Sequence, residues 1–174
     1  MPVQLDLIKK LRQKSSASIG DCRKALEEAG QDIDKAFLLL RKRGMEMAEK
    51  KQDRVAKEGR IEAYVHTGNK IGVLLEVNSE TDFVARNSDF CRFTKDVAMQ
   101  IAACNPLYIR RENIPADAAK EQHNLDEFCK QNCLMEQAFI KDPSITIKDY
   151  LADLVTKIGE NIVVRRFTRY KIGE

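Results

Sequence analysis

Residues 61–77, IEAYVHTGNKIGVLLEV, decide the fold because two alternating segments flank a glycine-containing turn. The apolar members of the alternation are Ile61, Ala63 and Val65 in the first segment and Ile71, Val73, Leu75 and Val77 in the second. A period of two is typical of strands, since successive side chains point to opposite faces. The Gly68-Asn69 pair between the segments is a strong turn signal. The sequence therefore predicts a β-hairpin here.

The chain after the hairpin provides helices that can cover a sheet and one further strand. Apolar residues recur every three or four positions between residues 90 and 104, and again after Thr146 and Asp149, which fit a capping box. Another helix is predicted across residues 125–138. Residues 162–167, IVVRRF, have strand composition and only the hairpin to pair with. The predicted fold class is α+β, with a three-stranded antiparallel sheet packed with helices.

The first 45 residues are typical of three short amphipathic helices. Their apolar stripes include Leu5, Ile8 and Leu11, then Cys22, Ala25 and Leu26, then Ile33, Ala36 and Phe37. Gly30 and Gly44 stand where helix ends are expected. Residues 46–58 are mostly charged and predict a solvated connecting helix. The predicted organisation is a three-helix domain (1–45), a connecting helix (46–58) and an α+β core domain (59–174).

The composition limits the classes of function that the chain can have. The chain has 30 basic and 27 acidic residues, and its net charge of +3 is too small to indicate a nucleic-acid-binding surface. Neither a P-loop nor a dinucleotide glycine pattern is present, so no nucleotide or other cofactor site is predicted. The chain has two histidines, and its residues form no recognisable set of acid, base and nucleophile. We expect a binding protein rather than an enzyme.

Cysteine usage and hydropathy indicate a cytoplasmic protein. The chain has only five cysteines in 174 residues, and this odd number favours free thiols in a reducing compartment over a disulfide framework. His123, Cys129 and Cys133 match no common zinc module and lack a fourth ligand, so no metal site is predicted. The N-terminus lacks the pattern of a signal peptide, and no apolar run is long enough to span a bilayer. We therefore expect no membrane association.

Residues 78–87, NSETDFVARN, form a polar segment with a single aromatic residue directly after the second predicted strand. One interpretation is that Phe83 and Val84 pack beneath the following helix as part of the core, and periodicity alone favours it. The other is that the segment projects from the domain and presents Phe83 to a partner. The residues by themselves leave both open.

This segment resembles the signature of the elongation factor Ts family, Asn-x-Glu-Thr-Asp-Phe-Val-Ala-Arg-Asn, at every defined position. The segment from Asp21 to Leu26, DCRKAL, resembles the family's N-terminal three-helix domain, which is similar to ubiquitin-associated domains. The segment from Ile158 to Ile162, IGENI, resembles its closing segment. Nearly the whole chain is covered, and it resembles the short form of the family, without a second core subdomain.

The resemblance implies a guanine-nucleotide exchange factor that binds elongation factor Tu with GDP and promotes GDP release during translation elongation. It assigns Asp82 and Phe83, with their neighbours Thr81 and Val84, to a wedge that enters the GTPase. The residues that it assigns to partner contacts of the N-terminal domain are Leu11, Arg12, Asp21, Cys22 and Ala25. Since short family members pair with themselves, it also implies a homodimer.

One departure from the family and two competing functions remain. The family's first turn usually carries Thr-Gly-Ala-Gly where this chain has Ser15-Ser16-Ala17-Ser18, and serine is costlier than glycine wherever φ is positive. One competing function is an adaptor that binds proteins through the three-helix domain without exchange activity. The other is RNA binding through two basic clusters, Arg41, Lys42 and Arg43 with Arg165, Arg166 and Arg169.

Overall fold

A computed structural model describes residues 3–15 and 17–174 of the chain. It begins with α1 (Leu5–Ser15), α2 (Ile19–Glu28) and α3 (Ile33–Lys51). The remaining elements are β1 (Glu58–Val65), β2 (Ile71–Ser79), α4 (Asp82–Ala85), α5 (Ser88–Cys104), α6 (Ala116–Lys120), α7 (Leu125–Asn132), β3 (Ala138–Phe139), β4 (Asp142–Thr146), α8 (Ile147–Ile158) and β5 (Ile162–Lys171). Two 3₁₀ turns cover Arg111–Asn113 and Leu134–Glu136. The predicted α+β class is confirmed.

The main sheet has the strand order β1-β2-β5, and both pairings are antiparallel. At the hairpin turn Gly68 and Asn69 have φ values of 90° and 56°, a conformation that favours glycine and asparagine. A register shift between Glu76 and Val77 marks a bulge in the pairing with β5. The hairpin and the third strand that the sequence predicts are therefore both present.

The inner face of the sheet carries the main core. Val73, Leu75 and Val77 of β2 are buried and pack with Phe90 and Phe93 of α5. Because Glu62 pairs with Leu75 across the ladder, β1 turns Glu62 inward and Ile61 outward. The buried Glu62 carboxylate accepts a hydrogen bond from Thr94 Oγ1 at 3.0 Å and pairs with Arg60 at 2.9 Å. These partners offset the cost of burying a charge.

The three N-terminal helices have a core of their own, built from Ile8, Leu11, Cys22, Ala25, Leu26 and Ala36. Ser18 caps α2 by accepting a hydrogen bond from the Asp21 amide at 3.1 Å, with φ at −64°. Ser18 therefore needs no left-handed backbone, while Ser16 lies outside the described residues.

In the part of the chain that the structure describes, no helix is long and apolar enough to cross a membrane.

The prediction of a separate connecting helix over residues 46–58 is wrong. Helix α3 continues through Gly44 to Lys51, residues 52–57 are irregular, and Glu58 already begins β1. Gly44 is buried, and a Cβ added there would lie 2.9 Å from Thr156 Oγ1 of α8. Its lack of a side chain thus allows α3 to approach α8 closely, and it does not end the helix.

An ion pair joins α3 to α8 beside this close approach. Arg41 Nη2 lies 2.9 Å from Asp149 Oδ2, and the two side chains are 18% and 15% exposed. The same carboxylate closes the capping box of α8 by accepting from the Thr146 amide at 2.9 Å. The three-helix unit is therefore attached to the α+β core through a partly buried charge contact as well as through apolar packing.

Arg41→Ala should lower the free energy of unfolding by about 1–2 kcal/mol, because it leaves the Asp149 carboxylate without its cation in a partly buried place. Urea denaturation followed by circular dichroism measures this change. Lys42→Ala is the matched control, since Lys42 is exposed and has no ion-pair partner among the described residues. Equal unfolding midpoints for the two variants would show that the ion pair contributes nothing.

Candidate protein-interaction site

The polar segment after β2 presents an exposed aromatic side chain on a short, anchored helix. Thr81 is the N-cap residue of α4, and Phe83 is 79% exposed. The next two residues, Val84 and Ala85, are each only 9% exposed and belong to the main core. Val84 therefore anchors the helix, and Phe83 projects into solvent. The interpretation in which Phe83 and Val84 both pack in the core therefore holds for Val84 and not for Phe83.

The charge beside Phe83 is held only weakly. Asp82 Oδ2 lies 2.8 Å from Arg86 Nη2, one helical turn further along the chain, and the two side chains are 48% and 76% exposed. Exposed ion pairs of this kind contribute little to stability, so the Asp82 carboxylate can exchange partners at low cost. An acidic group and a large apolar group thus stand next to each other at one accessible tip, which we call the Asp82–Phe83 tip.

The five residues assigned to the N-terminal unit differ in their accessibility. Arg12 and Asp21 are exposed and line a cleft of about 380 Å³ between this unit and α8. The three that are completely buried are Leu11, Cys22 and Ala25. Buried side chains can affect a partner only by holding the helices in place. The accessible apolar residues of the unit include Ile19 and Leu38, which lie off the inward stripes and therefore carry no periodic signal in the sequence.

The thiol cluster on α7 does not have the chemistry of a ready metal site. Ligand atoms of Cys129, Cys133 and Glu136 lie within 4.8 Å of one another, and His123 is not in this group. Arg111 already donates to both carboxylate oxygens of Glu136, at 3.1 and 3.0 Å. Burial, together with the neighbouring Cys129, raises the pKa of Cys133 to about 12. The thiols pack in a small apolar cluster, which favours a packing role.

The basic residues considered for RNA binding are largely engaged within the chain. Arg43 pairs with Glu28 at 2.6 Å, Arg166 with Glu76 at 2.6 Å and Arg169 with Glu174 at 2.9 Å, in addition to the pair made by Arg41. A phosphate-binding face needs cations that are free to replace counterions. The side chains of Arg41 and Arg169 are in addition only 18% and 10% exposed, so the geometry gives RNA binding little support.

A second accessible surface is the outer face of the main sheet, which we define by Ile61, Val65, Leu74 and Tyr170. Each of these side chains is between 51% and 69% exposed. The ladder places Ala63, Leu74 and Thr168 in one row across the three strands, and Val65, Gly72 and Tyr170 in the next. These two rows are mostly apolar, as is typical of interaction surfaces, and Ile61 lies in the adjoining row with Glu76 and Arg166.

Comparison with known proteins identifies the family. The sequence model described as Elongation factor TS matches residues 5–125 and 122–174. Elongation factor Ts of Alkaliphilus oremlandii is 46% identical, with 100% of this chain and 91% of the relative covered. Elongation factor Ts of Thermotoga petrophila is 47% identical, with 100% and 98% covered, and that of Carboxydothermus hydrogenoformans is 44% identical, with 97% and 88% covered. This chain, with an exposed Phe83 in the signature segment, therefore belongs to the elongation factor Ts family of translation elongation factors.

Proposed function

We propose that this protein is a guanine-nucleotide exchange factor that binds elongation factor Tu with GDP and promotes GDP release by inserting the Asp82–Phe83 tip into the GTPase. The observation that carries this proposal is the 79% exposure of Phe83 on a helix that the neighbouring buried residues anchor. An apolar side chain kept in water at such a place is available for burial in a partner. The protein acts by binding, without making or breaking covalent bonds, and we place it in the cytoplasm.

The energetics require a second contact besides Phe83. An exchange factor must bind the nucleotide-free GTPase more tightly than the GDP-bound form, and GDP then weakens the factor by the same ratio. Acceleration of about a thousandfold corresponds to roughly 4 kcal/mol of differential binding. Burial of one phenylalanine provides about 1.5–3 kcal/mol. The remainder has to come from other contacts, and the three-helix unit is our candidate.

Within the tip, each residue has a different role. Phe83 separates side chains of the GTPase, and Asp82 competes electrostatically near the Mg²⁺ and phosphate site once it leaves Arg86. Thr81 caps α4, and Val84 anchors it in the core. The Asp82–Phe83 tip can therefore push against a partner without folding back into its own domain.

In the three-helix unit, Arg12 and Asp21 are the polar contacts that we propose, and Ile19 and Leu38 are apolar side chains of the same unit that are accessible to a partner. Leu11, Cys22 and Ala25 support this surface from within. We retain 1–45 and 59–174 as the two functional units, with 46–58 as the connection between them. Both units would bind the same GTPase, so that each raises the effective concentration of the other at its site.

We also propose that the protein is a homodimer that pairs through the outer sheet face. A second copy is the occupant whose chemistry fits, because a twofold axis would place one apolar row against the same row of the partner. The Glu76–Arg166 pair beside the rows is satisfied within one chain, at 2.6 Å, and requires no charge from outside. Arg166 holds the pKa of Glu76 below its ordinary value through this hydrogen bond.

Stopped-flow release of a fluorescent GDP analogue from purified elongation factor Tu tests the exchange function. We expect micromolar protein to accelerate release by orders of magnitude over spontaneous dissociation. Reciprocity requires that excess GDP then displace the protein from the GTPase. A folded protein that leaves the release rate unchanged would contradict exchange activity, and a protein that still binds elongation factor Tu without exchange would indicate the adaptor function.

A further inference from the structure

The turn between α8 and β5 contacts the segment that carries the Asp82–Phe83 tip. Glu160 accepts two hydrogen bonds from Thr81, one from the backbone amide at 3.0 Å and one from Oγ1 at 2.7 Å. The next residue, Asn161, donates its backbone amide to Glu80 Oε1 at 2.6 Å. Two consecutive residues of the turn thus bind two consecutive residues just before α4. The contacts span about eighty positions of sequence, so no local pattern predicts them.

The same turn also holds the segment that leaves the three-helix unit. Lys51, at the end of α3, donates its Nζ to the Gly159 carbonyl at 2.7 Å. Asn161, which is 4% exposed, donates its side-chain amide to the carbonyls of Gln52 and Arg54 at 3.2 and 2.7 Å. Gly159 has φ at 88°, so this turn needs glycine where the chain reverses. The turn therefore contacts both the segment that carries the Asp82–Phe83 tip and the connection that leads from the three-helix unit.

We propose that Glu160 is a positioning residue for nucleotide exchange, which fixes Thr81 and thereby the direction in which the Asp82–Phe83 tip meets its partner. This inference rests on the exchange function proposed above. The cap residue Thr81 makes no side-chain hydrogen bond to its own helix. Its hydroxyl is bonded to Glu160 instead, so the orientation of a four-residue helix depends on a contact from outside it. Charge-assisted hydrogen bonds to backbone amides are stronger than neutral ones, which suits a carboxylate to this task.

Glu160→Ala removes both hydrogen bonds and leaves the exposed Phe83 in place. We expect the release rate at saturating protein to fall about tenfold, the factor that one net hydrogen bond represents. The half-saturating concentration should change less, because the three-helix unit keeps its contacts. Glu160→Gln should retain most of the activity, since its amide oxygen can accept from the Thr81 backbone while its NH₂ donates to the hydroxyl. Glu121→Ala is the control, an exposed glutamate in the loop after α6.

A double-mutant cycle tests whether Glu160 acts through Thr81. Thr81→Val removes the hydroxyl and leaves the backbone amide, so alone it should cost less than Glu160→Ala. Combined with Glu160→Ala it should add nothing, because both changes affect one contact. Fully additive losses, or a Glu160→Gln variant as impaired as the alanine variant, would overturn the positioning role.

Amide hydrogen exchange at Thr81 separates this inference from the exchange function itself. In the wild type the Thr81 amide should exchange slowly, in Glu160→Ala rapidly, and in Glu160→Gln slowly. If the wild-type protein does not accelerate GDP release from elongation factor Tu, both the exchange function and the positioning role are wrong. The exchange rate of the Thr81 amide would still show whether Glu160 binds Thr81. If the Thr81 amide exchanges rapidly in Glu160→Ala but this variant accelerates GDP release as well as the wild type does, the positioning role alone is wrong.

Discussion

Phe83→Ala should lower the rate of GDP release at saturating protein by about 10- to 100-fold, since it removes the roughly 1.5–3 kcal/mol that burial of this side chain provides. The same change should leave the free energy of unfolding within about 0.5 kcal/mol of the wild type, because a side chain that is 79% exposed loses few contacts within its own chain. Stopped-flow release and urea denaturation on one preparation measure both effects.

The control for Phe83→Ala is Leu107→Ala, which truncates another exposed apolar residue, 58% accessible, in the loop after α5. We expect Leu107→Ala to change neither the rate of GDP release nor the free energy of unfolding. The opposite pattern for Phe83→Ala would be a loss of about 3–5 kcal/mol of stability, as for truncation of a buried phenylalanine. That result would place Phe83 in the core and remove it from the proposed wedge.

The elements that the sequence predicts correctly are those whose signals are local. The turn at Gly68 and Asn69 needs only the positive φ that these residues tolerate. The capping box of α8 forms as its spacing predicts, with Thr146 and Asp149 each accepting from the other's backbone amide at 3.1 and 2.9 Å. Such signals involve residues only a few positions apart, so the structure that they predict does not depend on contacts with distant parts of the chain.

The elements that the sequence predicts wrongly depend on distant contacts. Gly44 has the composition of a helix end, but its neighbour Thr156 comes from α8. The helix predicted over residues 125–138 ends at Asn132, and Gln137 beyond it is buried against Gln100 of α5, with 3.2 Å between their side chains. Only tertiary packing decides these cases.

The Asp82–Phe83 tip illustrates the same limit within one site. Phe83 and Val84 are adjacent and both apolar, and no periodicity exists in a four-residue helix to say which of them is buried. The resemblance to the elongation factor Ts signature identifies the segment, while its support by Glu160 comes from the opposite end of the chain and appears only in the structure.

Leu74→Lys should convert the proposed homodimer into a monomer. Leu74 is 51% exposed at the middle of the central strand, in the row that contains Ala63 and Thr168. A twofold interface contains each residue twice, so the loss of two leucine contacts costs about 3–6 kcal/mol, or about 10²- to 10⁴-fold in the dimer dissociation constant. Two lysines brought together would weaken it further. Sedimentation equilibrium over a range of protein concentrations measures the constant directly.

The fold should survive Leu74→Lys, because the outer sheet face is open in the single chain and the lysine can extend into water. Ile140→Lys, at a 47% exposed position between β3 and β4, introduces the same charge away from this face and should leave the dimer intact. A wild type that is monomeric at all concentrations, or a Leu74→Lys variant that dimerises as well as the wild type, would contradict pairing through this face.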